Sequence, residues 1–104
     1  MVEITPPPGW TNDKEDLSYD YYWAFKHCDG QLMAKWKGLT DPQPIMCSTG
    51  ESGEGLYMFQ SGTKYYIWNE IDGGVWKIVS PAKLEDILDE IDRFGVKDLD
   101  VKRI

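Results

Sequence analysis

The sequence predicts an α+β fold: a mainly antiparallel sheet of five to six strands, a hairpin plus a three-stranded meander, packed by one C-terminal amphipathic helix. Three observations predict it. Short runs rich in aromatic and β-branched residues alternate with two-residue turn signals at 19–37 and 55–79. Residues 81–94 carry apolar side chains at helical spacing. The 104 residues fit one domain, predicted at 19–104, after a Pro-containing N-terminal arm at 1–18.

The N-terminal arm is polar and contains three consecutive prolines, Pro6 to Pro8. A proline triplet favours the extended polyproline conformation, because the ring fixes φ and removes the backbone donor. Trp10 follows the triplet and can anchor the arm on the domain, since a large aromatic side chain gains much from burial. The segment has neither the basic nor the apolar region of a signal peptide, so we expect a cytoplasmic protein.

Residues 19–27 and 31–37 are predicted to form the first hairpin. Asp29-Gly30 is a strong turn signal, because a type I′ turn needs positive φ at both central positions. This turn gives the hairpin one apolar and one mostly polar face, as a half-buried hairpin requires. The alternative is a helix over 13–28, but the crowding of aromatic residues and the Asp-Gly turn favour the hairpin.

Residues 38–54 contain Gly, Pro, Ser, Thr and Asp without periodicity and are predicted to form a long loop. Gly50 and Gly55 have the separation of a phosphate-binding loop, but Leu56-Tyr57 follows where that motif needs Lys and Ser or Thr. We therefore interpret the segment as a flexible loop without phosphate-binding chemistry.

Residues 55–79 are predicted to form the meander, with turns at Ser61-Gly62 and at Asp72-Gly73 or Gly73-Gly74. With the first option at each turn, the alternation of side chains between the two faces agrees across all three strands. The aromatic face then comprises four rings with a lysine at its edge: Tyr57, Phe59, Tyr66, Trp68 and Lys77. The opposite side carries Leu56, Met58, Tyr65, Ile67, Trp76 and Ile78. The middle strand is apolar on both sides, so either both faces are covered or one meets a partner.

Residues 81–94 are predicted to form the C-terminal helix, with Ser80 as its N-cap and Pro81 at its first position. Its apolar stripe has the spacing of a helix face: Leu84, Ile87, Leu88, Ile91 and Phe94. Gly95 is predicted to end the helix in the left-handed conformation. Residues 98–104 alternate in polarity and are expected to add an edge strand.

The charge balance limits the classes of partner. The chain has 18 acidic and 11 basic residues and a net charge of −7. Phosphate backbones and anionic membrane surfaces repel such a chain, so we expect neither nucleic-acid nor membrane binding. A basic protein partner is favoured kinetically, because opposite fields steer the encounter. The simpler interpretation is that the charge keeps the domain soluble.

Residues suited to catalysis or metal binding are few in this sequence. His27 is the one histidine, and its neighbour Cys28 points to the opposite face if both lie in a strand. Cys28 and Cys47 form no Cys-x-x-Cys pair, and we expect both to be thiols in the cytosol. We therefore predict no enzyme activity, no cofactor and no metal site.

Two surfaces are candidate binding sites. The aromatic face can stack on a ligand or a partner, although packing within the core explains it more simply. The C-terminal helix carries acidic residues opposite its apolar stripe: Glu85, Asp86, Asp89 and Glu90. These residues can dock a basic partner, and the simpler interpretation is a solvated helix face.

The predicted function is a non-enzymatic acidic protein-interaction module, of the adaptor or the immunity or inhibitor type. The alternative is a small-ligand-binding domain or small enzyme that uses the aromatic face, with the 38–54 loop as its lid. A homodimer built on the aromatic face is a third hypothesis. A concave pocket with inward polar groups would favour the ligand alternative.

Overall fold

The computed structural model describes residues 4–12, 30–48 and 55–104, and these form a six-stranded antiparallel sheet with a main helix and a shorter one. The strands are β1 Trp10–Thr11, β2 Gln43–Ser48, β3 Leu56–Ser61, β4 Lys64–Asn69, β5 Val75–Ser80 and β6 Asp100–Arg103. The helices are α1 Gly30–Trp36 and α2 Leu84–Phe94, and a 3-10 turn spans Val96–Asp98. The predicted α+β fold class, with its antiparallel sheet and C-terminal helix, is confirmed.

The sheet is a meander, because each strand pairs with its sequence neighbours in the order β1 to β6. The β3–β4 turn is Gly62-Thr63 rather than the predicted Ser61-Gly62. Moving a two-residue turn by one residue changes each cross-strand partner by two, so every side chain keeps its face. Phe59 pairs with Tyr66 as a result. Residues 70–74 connect β4 and β5, so the two-residue turn predicted at Asp72-Gly73 or Gly73-Gly74 is wrong. Ile67 still pairs with Trp76 and Tyr66 with Lys77, so both predicted faces of the meander are confirmed.

Strand β2 corrects the prediction of a long loop at 38–54. Ile45, Met46 and Cys47 are all buried, so the strand shows no alternation between apolar and polar residues. Pro44 also argued against a strand, since proline cannot donate to a sheet ladder. The register shifts between Pro44 and Met46, which is where a β-bulge tolerates a proline.

Helix α1 corrects the prediction that 31–37 is a strand. Leu39 N–H donates to Ala34 O at 3.0 Å, and Gly38, at φ 83°, lets the chain leave the helix. The segment contains Leu, Met, Ala and Lys, which are strong helix formers, and this local preference outweighs the apolar alternation of Leu32, Ala34 and Trp36. The predicted partner strand at 19–27 lies outside the described residues.

Helix α2 begins three residues later than predicted. Ser80 is the last residue of β5 and pairs with Asp100 of β6, so it does not cap the helix. Lys83 occupies the N-cap position without a side-chain cap hydrogen bond. Gly95 has positive φ as predicted, but its φ of 92° and ψ of 170° lie outside the left-handed helical region. The predicted edge strand is confirmed as β6.

The core lies on both sides of the sheet. Tyr57–Phe59 of β3 and Tyr66–Trp68 of β4 are at most 8% exposed, so the central strands are buried on both faces. The C-terminal half of α2 and the 3-10 turn lie on the side that carries Leu56, Ile67 and Trp76, called here the helix side. On the aromatic face, Ser61 Oγ donates to Thr40 O at 2.6 Å and holds the segment after α1 against the sheet.

Candidate functional site

A groove crosses the helix side of the sheet at the point where α2 ends. Its larger part has a volume of about 520 Å³ and its smaller part about 230 Å³. The two parts share four lining residues: Leu56, Asn69, Val96 and Lys97. Because the lining is shared, they form one continuous concavity, and its size lies in the range of ligand sites.

The end of α2 creates this groove. Gly95 N–H donates to Ile91 O at 2.9 Å, and the chain then turns through the 3-10 segment Val96–Asp98. This single turn covers less of the sheet than a continued helix would, since a helix of n residues extends about 1.5n Å. Leu56 and Asn69, which pair across β3 and β4, line the concavity beneath it.

Asn69 is held firmly at the edge of the groove. Its Oδ1 accepts from the backbone N–H of Ile71 at 2.9 Å and more weakly from that of Asp72 at 3.4 Å. Its backbone N–H donates to Gly74 O at 2.9 Å. Such Asx-type bonding is a common way of closing a turn. The groove therefore has an ordered polar group at its β4 end.

The lining of the larger part is mostly apolar with a few polar groups. Pro8, Trp10, Leu56, Ile91 and Val96 supply apolar surface, and Asn69 and Lys97 supply the polar side chains. Ligand sites commonly combine an apolar lining with a small number of polar groups that fix orientation. Asn69 Oδ1 is already used within its own turn and Lys97 is exposed, so the groove is an open surface with a mostly apolar lining.

A second cleft runs between the proline triplet and α2. Its volume is about 280 Å³, and it is lined by Thr5, Pro6, Pro7, Pro8, Leu88, Asp89 and Asp92. Pro7 O accepts from Trp10 N–H at 3.0 Å, which fixes the turn that leads into β1. Pro8 also lines the larger part of the groove, so the cleft and the groove meet at this residue.

The four rings predicted as an aromatic binding face are packed in the core. Tyr57 is 8% exposed, Phe59 0%, Tyr66 7% and Trp68 3%. Phe59 and Tyr66 stack with ring centroids 5.4 Å apart, and Tyr57 and Trp68 pack at 5.2 Å. Lys77 is half-buried and pairs with Tyr66 across β4 and β5. The rings stabilise the sheet, and their role in binding stays a prediction.

Two polar atoms belong to this aromatic layer. Tyr57 Oη donates to Glu70 Oε2 at 2.9 Å, and Glu70 itself is exposed at the end of β4. Trp68 Nε1 is buried and donates to no acceptor within the described part of the chain. A buried indole N–H without an acceptor is energetically unfavourable, so packing of the ring has to outweigh this cost.

The acidic residues predicted as a docking face lie on α2, but not all are equally exposed. Glu85, Asp86 and Asp89 are exposed, whereas Glu90 is half-buried. Asp89 Oδ1 lies 3.2 Å from Arg93 Nε, an exposed pair one helical turn apart. The exposed carboxylates form a solvated surface opposite Ile87 and Ile91, which anchor the helix in the core.

No metal-binding group is present in residues 4–12, 30–48 and 55–104, because no three His, Cys, Asp or Glu side chains cluster there. His27 and Cys28 lie outside these ranges. Cys47 is buried in β2, where it pairs with Tyr57 of β3. No helix in the same ranges is long and apolar enough to cross a membrane. The absence of catalysis and of cofactors stays a prediction.

Comparison with known proteins gives no relative. The chain matches no protein-family model, no curated protein and no solved structure. Its function therefore has to be inferred from its own residues.

Sequence reasoning missed the groove on the helix side. Leu56 and Ile91 fall into the apolar patterns of a strand and a helix, so the sequence marks them only as core residues. Asn69 carries a weak signal, because it precedes a Gly-containing turn and such residues often fold onto the backbone. The concavity itself depends on the position of the end of α2 above the sheet, which no local pattern specifies.

Proposed function

We propose that the protein is a non-enzymatic protein-interaction module that binds a basic partner through the exposed acidic residues of α2. The observation that carries this proposal is the exposure of Glu85, Asp86 and Asp89 on one helix. Ile87 and Ile91 hold the same helix in the core, so the carboxylates have a fixed spatial arrangement. A preordered charged surface loses little conformational entropy when it meets a partner.

The charge of the whole chain supports the same proposal. A net charge of −7 produces a long-range field that attracts a basic protein and speeds the encounter. Among the carboxylates of α2 in the described residues, that of Asp89 forms an ion pair, with Arg93. Exposed ion pairs of this kind contribute little to stability. The carboxylates of α2 therefore contribute little through ion pairs, and the exposed ones are available to a partner.

We propose an adaptor or inhibitor role in the cytoplasm, with neither nucleic acid nor membrane as partner. Nucleic acid and anionic lipid would both be repelled by the acidic surface. The alternative of a ligand site or small enzyme on the aromatic face has less support, because its four rings are at most 8% exposed. A homodimer through that face meets the same difficulty.

An affinity capture from source lysate at low and high salt tests this proposal. The bait variant Glu85→Gln with Asp86→Asn removes two charges from α2. Its matched control, Asp98→Asn with Asp100→Asn, removes two exposed charges outside the helix. We expect a basic protein retained by the wild type and the control at low salt, lost by the α2 variant, and released from all baits at high salt.

Equal loss of the partner with both variants would contradict a specific α2 surface and leave only a general effect of net charge. Retention of the same partner by all three baits at high salt would contradict an electrostatic mechanism. Thermal unfolding of each variant is the control for folding, and we expect little change because the substituted carboxylates are exposed.

A further inference from the structure

The proline cleft and the groove on the helix side both border Pro8 and follow one another along α2, and together they are called here the α2 groove. It starts between the proline triplet and Leu88, passes Trp10 and Ile91, and ends between β4 and the 3-10 turn. Leu88 and Ile91 lie one helical turn apart, which aligns the path with the helix axis. A path of this form suits an elongated ligand better than a compact one.

The chemistry of the α2 groove changes along its length. Asp89 and Asp92 line the first cleft, and Asp92 is exposed with no ion pair among the described residues. The central part is mostly apolar: Leu56 and Val96 supply its half-exposed surface, Trp10 and Ile91 are 8% and 6% exposed, and Lys97 also lines it. An occupant that matches the carboxylates of the first cleft and the apolar lining of the central part has a cation next to a large apolar group.

The proline wall adds a further constraint. Pro6, Pro7 and Pro8 have no backbone N–H, so this wall can accept hydrogen bonds but its backbone cannot donate them. Pro7 O is already used by Trp10 N–H. A ligand that supplies donors therefore matches the wall, and cationic side chains and backbone amides both do so.

We propose that the α2 groove binds an extended segment of a basic partner protein, with a cationic side chain against Asp92 and a large apolar side chain in the central part. The inference rests on the proposed function for the basic character of the partner, and it adds the form of its recognised segment. A fatty acid or other apolar anion is disfavoured because the lining carries three carboxylates, those of Asp72, Asp89 and Asp92, against one cation, Lys97. A second copy is disfavoured because two chains of charge −7 repel each other.

Two fluorescently labelled peptides test this proposal with the full-length chain. One alternates arginine and leucine, and the other replaces each leucine by serine, so both have the same charge. We expect the arginine–leucine peptide to bind at least about tenfold more tightly by fluorescence anisotropy, because burying one large apolar side chain supplies that much affinity. Equal affinity for the two peptides would contradict the proposal that a large apolar side chain binds in the central part of the groove.

Matched charge reversals separate the groove from the acidic surface. Asp92→Lys changes a residue that lines the groove, and Asp86→Lys makes the same change on an exposed part of α2 that does not. We expect Asp92→Lys to weaken the arginine–leucine peptide several-fold more than Asp86→Lys does. Equal weakening by both variants would contradict binding in the α2 groove, but it would still agree with binding to the exposed acidic residues of α2.

Two further results complete the test. Val96→Arg places a long cationic side chain in the central part, and we expect it to abolish the preference for the arginine–leucine peptide. Thermal unfolding of this variant reports whether it is folded.

Failure of both peptides to bind the wild type would count against the groove and the proposed function together. A concentration-dependent dimer in sedimentation velocity that Val96→Arg abolishes would identify a second copy as occupant and overturn the peptide proposal.

Discussion

The two faces of strand β4 both carry apolar residues but are covered in different ways. On the aromatic face, Tyr66 and Trp68 pack against rings of β3 and are at most 7% exposed. On the helix side, Ile67 is equally buried, but Asn69 and the neighbouring Leu56 are half-exposed and line a groove. The difference teaches that a high density of aromatic residues marks the core here, whereas the concavity arises where a covering helix ends.

The comparison of faces predicts unequal costs for two tryptophan substitutions on adjacent strands. Trp68 is 3% exposed on the aromatic face, so Trp68→Ala should lower the free energy of unfolding by about 3–5 kcal/mol. Trp76 is half-buried on the helix side beneath Arg103, 5.5 Å from its ring, and Trp76→Ala should cost only about 2 kcal/mol. Urea unfolding measures both, and equal costs would contradict the difference between the faces.

Two adjacent residues of α2 sharpen the same comparison on the helix side. Ile87 is fully buried, and Ile87→Ala should lower the free energy of unfolding by about 2–5 kcal/mol because it leaves a cavity. Leu88 is half-buried and lines the proline cleft, so Leu88→Ala should cost clearly less. Chemical denaturation of both variants checks this order, and a larger cost at Leu88 would mean that the cleft is closed in solution.

The sequence predicted the fold class and the faces of the meander because both depend on alternation, which survives a shift of each turn by one residue. It failed at β2, where Ile45 to Cys47 are all buried and a proline interrupts the pattern. It also failed at 31–37, because the apolar alternation of Leu32, Ala34 and Trp36 concealed residues with high helix propensity. The acidic residues of α2 could be identified because an amphipathic helix has an exposed face, but the groove depends on tertiary packing and left no local signal.

Gly95, which lines the groove where α2 ends, distinguishes the observed end of the helix from the predicted one. Its φ of 92° and ψ of 170° fall in a region that is almost exclusive to glycine, and a Cβ there would meet no atom within 4 Å. Gly95→Ala and Gly95→Asn should therefore both cost about 1–3 kcal/mol through backbone strain alone. Thermal unfolding checks this, and a much smaller cost for asparagine would support the left-handed cap predicted from the sequence.

The smallest expected effect concerns the hydrogen bond at the edge of the aromatic face. Tyr57 Oη donates to Glu70 Oε2 at 2.9 Å, with the ring buried and the carboxylate exposed. Since water competes for an exposed carboxylate, the coupling between the two side chains should be about 0.5–1.5 kcal/mol in a double-mutant cycle of Tyr57→Phe and Glu70→Ala. Tyr57→Phe keeps the ring that packs 5.2 Å from Trp68, so its effect isolates the hydroxyl from the packing. A coupling near zero would mean that this hydrogen bond does not stabilise the edge of the aromatic face. A coupling well above this range would mean that the Glu70 carboxylate is shielded from water.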